Sequence, residues 1–219
     1  FKGVACGVEH EKFFKQIKNL NTIIDVGCNK GQFALFANYS FPKSTIYSFD
    51  PLSNVEKIYQ SFLGNSGNCF FYPYAIGPNN VDSIINVSNR DDSSSLLANT
   101  EKQTTIFPGT KTITTQKIEI KKLNNCLQTH NFKSPTLLKI DVQGFELECL
   151  EGSEDCLDLV EYIYIECSYV ILYEKQALAD EIIKWLKNKN FKLIDRYNFL
   201  YDDKGNLVQA DFFFQKNQN

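Results

Sequence analysis

The 219-residue sequence has no methionine, one tryptophan and two histidines. It opens on Phe1, and the missing methionine reads as an absent natural N-terminus. No C-x-x-C pair occurs among the seven cysteines, and seven is an odd number. That excludes a disulfide framework and a structural zinc site, so Cys6, Cys28, Cys69, Cys126, Cys149, Cys156 and Cys167 are expected as reduced thiols, most of them small core residues. No apolar run reaches the roughly 20 residues of a membrane span, and no signal peptide is visible, so the expected location is cytoplasmic. Charge is nearly balanced, at −3 with a pI near 5.5, and no Lys/Arg cluster stands out. Broad electrostatic binding to nucleic acid is therefore not expected. What the chain does have is 43% hydrophobic and 14% aromatic residues, enough for the core of one large domain, taken as residues 1–219.

The pattern along the chain alternates. Phe13, Phe14, Ile17 and Leu20 predict an N-terminal helix within residues 1–20. TIIDVG (22–27) is apolar on both faces, as a central parallel strand is. Helical spacing, then TIYSFDP (45–51), a second helix and NCFFYPYAIG (68–77) continue a β-α-β-α-β order, which predicts a parallel sheet with helices on its faces. Residues 78–122 break this rhythm. They read as an inserted β-hairpin, SIINVS and TITTQKIEI, around a long loop at 89–109 with the character of a lid. Alternation returns with LLKIDV (137–142), a helix over 145–151 capped by Gly152, the strand VEYIYIEC (160–167) and a helix from about Leu178 to Asn190. FKLIDRYNFL and NLVQADFFFQK then form a closing hairpin around Lys204-Gly205-Asn206. The expected fold is α/β: a mostly parallel seven-stranded sheet whose C-terminal hairpin contributes an antiparallel strand. Class I methyltransferases end in this way, whereas dinucleotide-binding dehydrogenases usually continue with parallel units.

The first strand-helix junction, IIDVGCNKGQFAL (23–35), narrows the cofactor. A dinucleotide fingerprint needs G-x-G-x-x-G, but after Gly27 those positions hold Asn29 and Gln32. The pattern is instead Asp25-x-Gly27-x-Asn29-x-Gly31. It suits S-adenosylmethionine, which has no pyrophosphate: its carboxylate would meet the helix N-terminus near Gly31, and its ammonium Asp25 or nearby carbonyls. Asp50, ending the second strand, suits the two ribose hydroxyls, the more so beside the first loop; the alternative is a helix N-cap. Ala75 and Ile76 would border the adenine, or be ordinary core. At the sheet's carboxyl edge Asp141, Gln143 and Glu146 face the crevice where ligands bind.

The segments IDVGCNKGQFAL, FDP, YAIG, SSSLL, LLKIDVQGFELECLEG and VQADFFF occur in this order between residues 20 and 216. Together they resemble the FkbM-type methyltransferase family, and KIDVQGFE is the most specific element. The resemblance implies a Rossmann-like class I fold, S-adenosylmethionine as methyl donor and hydroxyl acceptors, commonly on sugars or related small molecules. It implies cofactor contacts at Asp25, Gly27, Cys28, Asn29, Gly31, Phe33, Asp50, Pro51, Ala75, Ile76, Ser94 and Asp141. Gln143 departs from the family, which usually has Glu there, and KKLNNCL (121–127) replaces a more usual Leu-Asp pair.

A hydroxyl needs a base, and the candidates are Asp141, Glu146 and Glu166, with Asp141 nearest the expected methyl position. Asp141 also suits a structural pairing with Lys139, Glu146 a helix N-terminus and Glu166 a strand-end cap. His10 reads as a surface residue and His130 as lying at the far end of the sheet, so neither is favoured. Three such acids could hold Mg²⁺ or Ca²⁺, although no motif indicates a divalent metal. Three other classes stay open, one of them a nucleic-acid methyltransferase, which is opposed by the lack of an Asn-Pro-Pro-aromatic motif and of a basic face. An NAD-dependent oxidoreductase or epimerase is opposed by the missing glycines. A cofactor-binding module without turnover is kept open by Gln143. Oligomeric state is not legible.

Overall fold

The computed structural model describes residues 7–217. A 3-10 turn at Val8–His10 leads into α1 (Glu11–Phe14) and then β1 (Thr22–Val26), α2 (Gln32–Ser40), β2 (Thr45–Phe49), α3 (Val55–Leu63) and β3 (Cys69–Tyr72). The insert holds β4 (Ala75–Ile76), β5 (Val81–Ser88), α4 (Glu101–Ile106) and β6 (Thr112–Lys121). It is followed by α5 (Leu123–Cys126), β7 (Thr136–Ile140), α6 (Glu146–Gly152), β8 (Tyr162–Ser168), α7 (Ala179–Asn188), β9 (Phe191–Tyr201) and β10 (Leu207–Lys216).

Seven strands form the main sheet in the order β3-β2-β1-β7-β8-β10-β9, with β10 antiparallel to both neighbours and the remaining pairings parallel. This is the expected α/β sheet with its reversed C-terminal strand. The chain steps outward from β1 through β2 to β3, then returns to the other side of β1 at β7. A crevice opens between β1 and β7, where the strand order reverses. All five residues of β1 and of β7 are buried, so each strand needs apolar residues on both faces. One face packs Ile24, Val26, Leu138 and Ile140 against α6 and α7. The other packs Ile23 and Leu137 against α1, α2 and α3. Helical spacing supplies the partners: Phe33, Ala34, Phe36 and Ala37 on α2, and Val55, Tyr59 and Leu63 on α3, are all buried.

Four of the expected elements differ in the structure. The N-terminal helix stops after Phe14, and Gln16 and Ile17 bond three residues back, to Phe13 and Phe14. Ile17 and Leu20 are buried without helix. The third strand breaks at Pro73, which has no N–H for the ladder, so Ala75 and Ile76 join β6 in a separate three-stranded sheet. The long loop contains α4, capped by Thr100, whose hydroxyl accepts from the Gln103 N–H at 3.3 Å. Gly152 does not cap α6 but is its last residue, with Ser153 in the cap position; a Cβ on Gly152 would lie 2.2 Å from the Gly77 carbonyl oxygen, so only glycine fits there.

Candidate active site

A buried ion pair sets the site. Parallel pairing puts Asp25 of β1 opposite Lys139 of β7, whose ammonium lies 5.6 Å from the Phe33 ring of α2. Their charged atoms are 3.1 Å apart, with side-chain exposures of 0% and 7%. Burial pushes the Asp25 carboxyl up and the lysine opposes that shift. Burial works against the Lys139 charge too, but Asp25 and Asp141 outweigh it and leave its pKa raised. The ammonium also donates to the Gly27 carbonyl at 3.0 Å, tying the first loop to β7. Asp25 therefore faces Lys139 and does not line the cavity.

The cavity, of about 270 Å³, opens at the carboxyl edge of β1, β2 and β7. Gly27, Cys28, Asn29 and Phe33 supply one wall. Gly27 adopts φ +74°, and a Cβ on it would fall 1.8 Å from the Asp141 carbonyl oxygen, so only glycine lets the two loops touch. Gly31, at φ +88°, caps α2 but does not reach the cavity; its N–H is spent on the Cys28 carbonyl at 2.9 Å. The Cys28 thiol is buried and its pKa is pushed well up by that burial, so it is a packing group.

Asp50 and Pro51 line a second wall. The Asp50 carboxylate accepts from the Asn29 N–H at 3.0 Å and the Leu52 N–H at 2.9 Å. It caps no helix, since Asn54 holds that position for α3. Burial raises its pKa to about 6, with the two amides and Lys139 opposing. Each oxygen retains a second lone pair for a ligand hydroxyl. Beside it Ala75, Ile76, Ile85 and Leu96 form an apolar flank, in which Ala75 and Ile85 share a small core with Leu52 and Phe145. Ser94 also lines the cavity, while accepting the Ser88 N–H at 3.1 Å.

Among the three acids expected to act as bases, only Asp141 reaches the cavity. Its carboxylate is 38% exposed, lies 3.8 Å from Lys139 and accepts from the Gln143 amide at 2.8 Å. Glu146 is buried beneath the turn, accepting the Val142 and Gly144 N–H groups at 3.3 and 2.9 Å. Burial raises it to about 7. Glu166 is half-buried and accepts from Gln143 at 3.2 Å and Gln209 at 3.0 Å; burial, then the neighbouring acids, push its pKa well up. Gln143, at φ +55°, thus donates its amide to two carboxylates, which a glutamate could not do. Its side-chain oxygen accepts the Tyr173 hydroxyl, and its backbone carbonyl accepts Ser95 of the insert. Among the described residues, no group of three or more His, Cys, Asp or Glu is placed to hold a metal ion.

Glu146 gives a clean titration prediction. Its folded pKa of about 7 exceeds the ordinary 4.5, so the folded state holds the extra proton between those values. Stability should fall as pH rises from about 4.5 through 7. Glu146→Gln keeps an acceptor for the two amides but cannot ionise. Thermal unfolding of that variant should show a flatter dependence between about pH 5 and 8 than wild type; an equally steep curve would assign the slope elsewhere.

The structure also adds residues that the sequence reading passed over. His10, expected on the surface, lies in the cavity wall with only 15% of its side chain exposed. Its ring packs edge-on against Phe33 and Tyr164, at 5.2 and 5.4 Å. Lys139, Tyr74 and Phe145 line the cavity as well, and so does Gln143, which was expected at the crevice. A lysine inside an otherwise apolar strand was the available signal for Lys139. For His10 only the short N-terminal turn, folded back against α2 and β8, creates the environment.

Two crystal structures share the fold at low identity. An rRNA methylase from Streptococcus thermophilus gives a TM-score of 0.50 at 12% identity, covering 96% of this chain and 95% of that one. Aeropyrum pernix fibrillarin, solved with natively bound S-adenosyl-L-methionine, gives 0.51 at 12% identity, covering 90% and 67%. "Methyltransferase 1" of Beauveria bassiana is 26% identical over 164 residues, which is 66% of this chain and 63% of that protein. The "2-O-methyltransferase NoeI" of Sinorhizobium fredii is 24% identical over 207 residues, covering 90% and 84%. The family described as "Methyltransferase FkbM domain" matches residues 25–193, from β1 into β9. With a Rossmann-like sheet, a glycine-turned first loop and an acid ending β2, the chain belongs to the FkbM methyltransferase family.

Proposed function

We propose that the protein transfers a methyl group from S-adenosylmethionine to a hydroxyl oxygen of a sugar, a glycan or a related small molecule. The observation that carries this reading is the composition of the cavity: a buried carboxylate at Asp50 beside an apolar flank, with Asp141 and Gly27 on another wall. The residues fit the cofactor. Asp50 would accept the ribose hydroxyls, and Ala75, Ile76 and Leu96 would enclose the adenine. Asp141, charge-partnered by Lys139 and oriented by Gln143, would accept from the methionine ammonium. Asn29, Phe33 and Ser94 complete the wall. The cofactor supplies a methyl carbon already activated by sulfonium. The protein's part is to align an oxygen with that carbon, exclude water and receive a proton; orientation alone contributes about 7–11 kcal/mol.

Transfer to a hydroxyl oxygen is supported by the 2-O-methyltransferase among the relatives. Charge supports it too. Glu9, Asp92 and Asp141 reach the cavity, and the whole chain is at −3, an unfavourable setting for a polyanionic acceptor. The test is an acceptor screen with S-adenosylmethionine and a panel of neutral methyl glycosides, read by mass spectrometry. A methylated glycoside is the expected product. Methylation of RNA with none of any glycoside would place the protein in another substrate class.

A further inference from the structure

Three side chains join His10 to the reversed strand of the sheet. The His10 Nδ1 lies 3.1 Å from the Tyr164 hydroxyl, and that hydroxyl donates to Asp211 Oδ2 at 2.7 Å. Asn198 on β9 donates its side-chain amide to the same Asp211 oxygen at 2.7 Å, and at 3.3 Å to the Tyr164 hydroxyl. The polarity follows by counting protons. The Asn198 Nδ2 can only donate, so Asp211 Oδ2 accepts. Tyr164 has one proton and gives it to Asp211. Its oxygen must then accept from His10, so the imidazole proton sits on Nδ1 and Nε2 keeps its lone pair. Burial pushes the Asp211 pKa up to about 6, and this order holds wherever its carboxylate is ionised.

We infer that His10 is the proton acceptor of the transfer reaction, with Tyr164 and Asp211 as positioning residues that hold its Nε2 unprotonated at the cavity. This rests on the methyltransferase reading above. It answers a need that the acids leave open, since Glu146 and Glu166 do not line the cavity and Asp141 is already engaged by Gln143 and Lys139. The charged and titratable groups facing the ring are Glu9, Lys139, Asp141, Tyr164 and Asp211. Burial, then Lys139, lowers the imidazole pKa to about 4, against Asp141, so the ring enters the reaction neutral. In the step, the acceptor oxygen forms a bond to the methyl carbon, the carbon–sulfur bond breaks with its electron pair left on sulfur, and the hydroxyl proton passes to Nε2. The sulfonium charge is lost as the imidazolium charge appears, so the cavity gains no net charge. Glu9, 3.6 Å from Nε2, and Asp211, 3.8 Å from Nδ1, flank that imidazolium until it releases the proton to water.

Nitrogen-15 histidine resonances test the relay without cofactor or acceptor. At pH 7 the wild-type His10 should show the Nδ1–H tautomer, and Tyr164→Phe should lose it, since the ring stays stacked on Phe13 at 3.9 Å and only the hydroxyl goes. An Nε2–H tautomer or an imidazolium at pH 7 in wild type overturns the proposal. His10→Gln should bind S-adenosylmethionine as wild type does by calorimetry, yet lose about 10²–10⁴-fold in kcat on whichever methyl glycoside the wild type accepts. Turnover that survives the substitution also overturns it. A wild type that binds no S-adenosylmethionine sinks the methyltransferase reading itself. One that binds it but methylates no glycoside overturns the acceptor class, and the resonances still decide the relay.

Discussion

Replacing Lys139 with methionine is expected to lower the unfolding free energy by about 3–5 kcal/mol. The size comes from what remains. Asp25 is wholly buried, and the lysine 3.1 Å away is its charge partner. Methionine preserves the packing volume but strands that carboxylate, which must either stay charged in the core or take up a proton. The Gly27 carbonyl loses its donor as well. Urea unfolding should show a lower midpoint with an unchanged slope. The double variant Asp25→Asn with Lys139→Met should recover much of the loss, because the orphaned charge is removed with its partner. A single variant as stable as wild type would mean that Asp25 is protonated in the folded state and that the pair is not ionic.

Gly27→Ala should abolish cofactor binding and destabilise the fold together. A left-handed backbone costs a non-glycine residue about 1–3 kcal/mol. The larger problem is the 1.8 Å approach of the new Cβ to the Asp141 carbonyl, since backbone cannot turn aside as a side chain can. The junction after β1 and the junction after β7 would have to separate, and both line the cavity. Gly205→Ala is the control. Gly205 has a similar φ of +80°, but nothing lies within 4 Å of its would-be Cβ. That variant should pay only the backbone term and bind cofactor normally. Equal behaviour of the two would show that the close approach has no role in the site.

The sequence made the parallel core legible because β1 and β7 are buried on both faces and advertise it with unbroken apolar runs around one charged position each. The closing hairpin was legible from its turn. Pro73 was on the page, and its missing N–H could have split the third strand in advance. So could Thr100 and Gln103, spaced as an N-cap and its partner, have marked α4. Other features depend on the assembled fold. Asp25 lies wholly buried opposite Lys139 because β1 and β7 are neighbours in matched register. Gly152 answers to Gly77, distant in sequence. His10 is drawn into the wall by Phe33 and Tyr164, from α2 and β8, and no local pattern at residue 10 encodes that.

The most direct test of the cofactor site is calorimetric titration of wild type and Asp50→Ala with S-adenosylmethionine, S-adenosylhomocysteine and NAD. The account predicts binding of both sulfur compounds to wild type, no binding of NAD, and loss of the sulfur compounds in the variant, with the variant's unfolding checked in parallel because Asp50 also holds the Asn29 and Leu52 amides. Binding of NAD alone, or undiminished binding of S-adenosylmethionine without the Asp50 carboxylate, would contradict it.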